Sequence, residues 1–237
     1  MRRALSARII APIIALAVML SVLLSLGGCV GRDRFDVWDI PPQMAEDTAY
    51  AVVNENIPFF TQRELQMRDF ELYSRLDTLG RCGVAFACIS PETMPVGERE
   101  DISSVTPSGW EYYGVSNNKT YDFIEDDYVY NRCHLIGYQL AGENANPANL
   151  VTGTRFMNIQ GMLPFENAIA EYVRESGGSV IYRVTPIFKG LDALCQGVLM
   201  EAWSADDDGA SICFCIFAYN VQPGVYLNYF TGENIAK

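Results

Sequence analysis

The segment Asn131-Arg132-Cys133-His134 contains the chain's single histidine, with an arginine two positions before it. In an extended segment, residues i and i+2 project to the same face, so Arg132 and His134 would share one. An arginine there can grip a phosphate. A neutral imidazole, with an ordinary pKa of about 6.5, can take a proton from water at neutral pH. That pairing suits hydrolysis of a phosphodiester. A lone histidine among apolar neighbours is more often a structural side chain satisfied by a carbonyl, so the surrounding residues matter. The run Thr152-Gly153-Thr154-Arg155-Phe156-Met157-Asn158 adds a second arginine and an amide, and Glu166 follows eight residues after Asn158. A hard ion such as Mg²⁺ takes oxygen ligands and keeps several waters, so one amide oxygen from Asn158 can anchor it beside phosphate oxygens. Glu166 would then fix a coordinated water from behind. Its plainer reading is a favourable charge at a helix N-terminus.

The elements that must position these residues are read from periodicity. Tyr50 to Val53 and Gly83 to Ser90 read as short strands, and Phe70 to Leu79 as helix or turn. Ser108-Gly109-Trp110 begins another extended piece, and Tyr128 to Gln139 alternates as a strand or hairpin would. After Gly161, Pro164 suits a first helical turn. Phe165, Ile169, Tyr172 and Val173 then make one apolar face before Gly177-Gly178 stops the helix. Val180 to Phe188, Gly197 to Trp203 and Ile212 to Val221 read as strands, the last apolar on both faces and therefore interior to a covered sheet. The class is α+β, in one globular domain from residue 50 to residue 237.

The first 28 residues differ from the rest. Arg2, Arg3 and Arg8 precede an uncharged run from Ile9 to Gly28, the pattern of an export signal. Its end, Leu26-Gly27-Gly28-Cys29, resembles a bacterial lipobox, with Cys29 as the lipidated residue; an uncleaved membrane anchor is the alternative. Residues 29 to 49, with Pro41, Pro42 and several acids, read as a tether. The domain would then lie outside the cytoplasm at a membrane. The six remaining cysteines make some disulfide plausible in that compartment, with small buried hydrophobes as the alternative. Net charge is −12, and loss of three arginines with the signal gives −15, an acidic balance that argues against tight binding of a polyanion. Residues 131 to 190, however, carry five basic and four acidic side chains, a net +1. Weak, transient substrate binding is expected.

Several segments together carry a family resemblance: Leu79-Gly80-Arg81, Pro107-Ser108-Gly109-Trp110, Asn131 to Gly137, Asn149 to Arg155, Gly161 to Asn167 and Tyr182 to Pro186. On these the chain resembles the DNA/RNA non-specific endonucleases of the ββα-metal (His-Me finger) superfamily, most closely the secreted streptodornase-type DNases. The resemblance implies a ββα-metal fold with a mostly antiparallel sheet flanked by helices. It implies His134 as general base, Arg132 as a phosphate and transition-state contact, Asn158 as the metal ligand and Glu166 as the residue orienting a coordinated water. Arg155 and Arg99 are the further phosphate-binding candidates. Two positions depart from the family's Asp-Arg-Gly-His motif. Asn131 stands for the aspartate, and Cys133 for a glycine, where a required positive φ would strain a cysteine and where a thiol would expose the site to oxidation.

The expected function is therefore an exported, membrane-anchored endonuclease that cuts DNA, and RNA as a second substrate, to leave 5′-phosphates. Mg²⁺ is the expected cofactor, with Mn²⁺ or Ca²⁺ as substitutes. The alternative is a non-catalytic surface lipoprotein that binds nucleic acid or another ligand on a nuclease-like scaffold.

Overall fold

The computed structural model describes residues 34–237, so the export signal and Cys29 lie outside the described residues. Residues Asp36–Lys237 form one compact unit. The chain joins it before the expected domain start at residue 50: Tyr219 donates to the Pro41 carbonyl at 2.9 Å and Gln43 to the Thr48 carbonyl at 2.9 Å.

Along the chain the strands are β1 (Tyr50–Val52), β2 (Glu71–Tyr73), β3 (Ala85–Ile89), β4 (Glu111–Tyr112), β5 (Val115–Ser116) and β6 (Tyr130–His134). A single helical turn, α1 (Tyr138–Ala141), leads to β7 (Leu150–Thr154); a π-helical segment over Met157–Met162 then runs directly into α2 (Leu163–Ser176). The chain closes with β8 (Val180–Ile187), β9 (Gly197–Ser204), β10 (Cys213–Tyr219), β11 (Val225–Leu227) and β12 (Asn234–Ala236).

The main sheet has six strands in the order β1-β10-β9-β8-β3-β2, antiparallel throughout. Its long members are the apolar runs read as strands in the sequence, and β10 is interior, flanked by β1 and β9. On one face Ile169, Ala170 and Val173 of α2 pack with Tyr182, Met200 and Ile216 of the sheet and with Cys133 and Val151 of the β6–β7 hairpin. The other face is covered by Phe60, Met67 and Phe70 over Phe86, Cys88 and Ile181. Arg183 is anchored there by Glu201, at 2.7 and 2.9 Å, and by Glu64 at 2.8 Å.

One expectation changes, and two segments with open alternatives take one of them. Phe70 to Leu79 forms edge strand β2, followed by a turn in which Asp77 accepts from the Leu79 and Arg81 amides; pairing with β3 decides the conformation there. Of the strand or hairpin expected over Tyr128 to Gln139, the strand forms, as β6; Gly137 then starts α1 and the returning strand is β7. The cysteines form no disulfide among the described residues: all six are free, and all but Cys213 are buried. They serve as small hydrophobes; Cys133 packs in the core, with its thiol pushed up by burial, which removes the expected sensitivity to oxidation.

Candidate active site

The β6–β7 hairpin presents His134 opposite Leu150 and Arg132 opposite Thr152. His134 is 7% exposed. Its Nε2 lies 2.9 Å from the Asn144 carbonyl. A carbonyl only accepts, so Nε2 carries the hydrogen and Nδ1 keeps its lone pair. Burial holds the imidazole pKa below its ordinary value, and the Arg99 guanidinium adds to that, while the Asn144 contact opposes it. The ring is neutral at pH 7. The loop that carries Asn144 is tied at its far end to the segment after His134 by Asn149, whose side chain accepts from the Ile136 amide at 2.9 Å and donates to the Ile136 carbonyl at 3.0 Å. Asn149 was legible only as part of a motif, and its task as a staple for the 142–149 loop was not. Arg99 Nη2 stands 3.4 Å from Nδ1, so the structure brings together a base and an arginine 35 residues apart in sequence.

Asn131 and Asn158 meet as well. Asn158 Nδ2 donates to Asn131 Oδ1 at 3.2 Å, which turns the Asn158 carbonyl oxygen away from that bond. The asparagine at the motif's aspartate position thus still accepts a hydrogen bond, but without a charge. The cysteine at the glycine position is unstrained, because Cys133 is absent from the positive-φ residues. Its sulfur instead uses space on the neighbouring strand: a Cβ at Gly153 would lie 2.4 Å from Cys133 Sγ and 2.5 Å from Met157 Cε.

Glu166 is buried beside Gly137, accepting from its amide at 2.8 Å. A Cβ at Gly137 would meet Glu166 Oε2 at 2.6 Å, so the carboxylate sits directly against a backbone only glycine leaves open. Burial raises its pKa to about 7, which the Gly137 amide only partly offsets. Eight residues of pure α-helix would set Asn158 and Glu166 roughly 80° apart around the axis. The π segment contains Asn158 and turns less per residue, which brings the two towards one side. No residue type within Met157–Met162 signals it.

A cleft of about 330 Å³ opens beside the hairpin, lined by Arg99, Arg132, Arg155, Asn131, Asn158 and Tyr128 among others. His134 and Glu166 are not in its lining; His134 meets it through Arg99. Arg132 is more committed than its sequence position suggests. Its Nε donates to the Val105 carbonyl at 2.6 Å and its Nη2 to the Ser103 carbonyl at 2.9 Å, with the guanidinium 4.0 Å from the Trp110 ring centre. It braces the 103–105 loop while facing the cleft. Arg155 pairs with Asp126.

The described residues include no group of three or more His, Cys, Asp or Glu that could hold a metal ion. The Asn158 amide oxygen, together with solvent and substrate oxygens, is a donor set that would fit a hard divalent ion.

The DNA/RNA non-specific endonuclease family model matches residues 62–206. Comparison with curated proteins gives no match. Among solved structures, NucA from Streptococcus agalactiae with a magnesium ion bound shares the fold at a TM-score of 0.67 and 23% identity, over 83% of this chain and 90% of that one. Sda1 nuclease with a bound zinc ion is similar at a TM-score of 0.63 and 26% identity, over 72% of this chain and 83% of that one. An extracellular endonuclease matches at a TM-score of 0.54 and 20% identity, over 79% and 96%.

Proposed function

From the premise that this chain belongs to the DNA/RNA non-specific endonuclease family and is a nuclease, we propose that it is an exported, divalent-metal-dependent endonuclease that uses His134 as general base and leaves 5′-phosphate ends. The observation that carries this reading is the placement of His134, with Nε2 on the Asn144 carbonyl and Nδ1 directed at Arg99 of the cleft. A base needs a lone pair that can be uncovered, a fixed ring and a partner that stabilises the imidazolium once formed, here the Asn144 carbonyl.

In the proposed reaction Arg99 turns from Nδ1 to the incoming phosphate, and a water takes its place. Nδ1 removes the water's proton as its oxygen attacks phosphorus in line with the 3′-oxygen. The P–O3′ bond breaks, the 3′-oxygen gains a proton from solvent, and the attacking oxygen remains in the 5′-phosphate. The imidazolium, still donating from Nε2 to Asn144, returns its proton to solvent. Arg132, through its Nη1, and Arg155 neutralise the non-bridging oxygens. Asn158 would hold the ion, Mg²⁺ first with Mn²⁺ or Ca²⁺ as substitutes, which when bound supplies positive charge to the phosphate and the leaving oxygen. Asn131 keeps the Asn158 amide oriented, and Glu166 positions a water from the buried side. DNA is the proposed main substrate, with RNA accepted through the same sugar-phosphate contacts. Anchoring through a lipid on Cys29 would place the reaction outside the cytoplasm at a membrane.

Zymography in a DNA gel tests this. Wild type should clear the gel with Mg²⁺ and lose activity reversibly in EDTA. His134→Ala should retain its fold and lose about 10²- to 10⁴-fold in rate. Cleavage by His134→Ala at the wild-type rate would remove histidine from the reaction.

A further inference from the structure

Arg183 on the sheet and Arg155 at the cleft are both ion-paired, in contrasting ways. Arg183 is closed: its Nε and Nη2 edge is fully taken by the two oxygens of Glu201, whose side chain is 2% exposed. Arg155 is half closed. Its Nη2 pairs with one oxygen of Asp126, while its Nε is buried with no hydrogen-bond partner. That edge, Nε with Nη2, is the one by which a guanidinium binds a carboxylate or phosphate through two parallel bonds. The Asp126 side chain is 69% exposed, and Arg155 lines the cleft.

Asp126 is carried by an acidic turn, Asp122-Phe123-Ile124-Glu125-Asp126-Asp127, with four carboxylates and no basic residue. The turn is well fixed. Ile124 is buried with Trp110 and Val129, and the Tyr121 amide donates to the Asp127 carbonyl at 2.8 Å, as does the Asp127 amide to the Ile124 carbonyl. Asp126 and Asp127 both adopt positive φ, 61° and 64°, in the left-handed region that aspartate and asparagine tolerate better than most residues. The backbone thus holds one acidic side chain against a cleft arginine whose binding edge it satisfies only in part.

We propose that Asp126 is a stand-in for substrate phosphate: it occupies Arg155 in the free protein and must be displaced by the incoming backbone, setting a threshold against weakly bound polyanions. The proposal rests on the nuclease reading of this cleft. A phosphate that displaces Asp126 takes over Nη2 and can offer its remaining oxygens to the other donors of the cleft, so exchange leaves Arg155 paired. Because the Asp126 side chain is exposed, its ion pair is weak and can be exchanged at ambient conditions. Asp126 therefore tunes affinity and does not block the site.

The test measures binding of a fluorescein-labelled single-stranded oligonucleotide by anisotropy, in EDTA so that no cleavage occurs. Asp126→Asn suits the left-handed backbone and should tighten binding about 2- to 5-fold, the range of an exposed ion pair. Glu125→Gln makes the same change in charge one residue away and should do less. In an Arg155→Ala background, Asp126→Asn should have no effect beyond that control. Equal affinity for Asp126→Asn and wild type, an equal gain from Glu125→Gln, or a full gain without Arg155 would each overturn the proposal. Cleavage by wild type in Mg²⁺ is scored separately: a protein that binds more tightly on Asp126→Asn but never cuts would refute the nuclease reading and leave the stand-in intact.

Discussion

Glu166→Gln gives a quantitative test of the buried carboxyl behind the cleft. Burial raises the Glu166 pKa from its ordinary 4.5 to about 7. Between those values the native protein keeps a proton that the unfolded chain has lost. The contribution is therefore complete below pH 4.5 and is lost as pH rises through 7. Glutamine keeps the acceptor for the Gly137 amide and does not titrate. Its extra N–H groups add an offset that is constant with pH. At about 1.36 kcal/mol per unit, the stability of wild type relative to the variant should fall by about 2–3 kcal/mol between about pH 5 and about pH 8.5. Urea unfolding of both proteins in EDTA across that range measures it. The subtraction also removes His134, whose lowered pKa acts with the opposite sign: its contribution is complete above its ordinary 6.5 and is lost as pH falls towards the folded value. Parallel stability curves for the two proteins would refute the argument that burial governs Glu166.

Gly153→Ala should destabilise the protein by about 1–3 kcal/mol, since its Cβ would overlap Cys133 and Met157, and Cys133→Ala added to it should recover part of the loss in a urea melt. Asn158→Ala should raise the Mg²⁺ concentration needed for half-maximal cleavage by at least tenfold without moving the thermal midpoint; an unchanged metal titration would place the ligand elsewhere. Reducing agent should leave the melting temperature unchanged, because the described cysteines are already thiols; a fall of several degrees would reveal a disulfide.

What was legible in the sequence followed from local chemistry. β8, β9 and β10 announce themselves through apolar, β-branched runs, and α2 through Ile169 and Val173 at helical spacing before Gly177. The arginine and histidine of β6 were legible for the same reason: alternation along a strand is a local rule. The rest depends on contacts across the chain. The Asn144 carbonyl that sets the histidine tautomer has no side-chain signature. Arg132 spends two donors on carbonyls at 103 and 105, and Asp126 reaches an arginine 29 residues later; neither is a periodicity. The departure at Cys133 looked like strain because its compensation, the missing Cβ of Gly153, lies on the partner strand.

The wide turn over Met157–Met162 makes the site depend on residue number as well as residue type. A helix can shed one residue from such a turn and close to ordinary winding without losing its hydrogen-bonded ends. Seven residues of ordinary helix turn through about 700°, so that deletion would leave Asn158 and Glu166 on nearly the same side, whereas one inserted residue would rotate Glu166 by about 100° relative to Asn158. Scanning by substitution would pass over this dependence, because no single side chain encodes it. Length variants of the segment, one residue shorter or longer, would expose it, and relatives that share the chemistry should conserve the count from the asparagine to the glutamate more strictly than the identities between them.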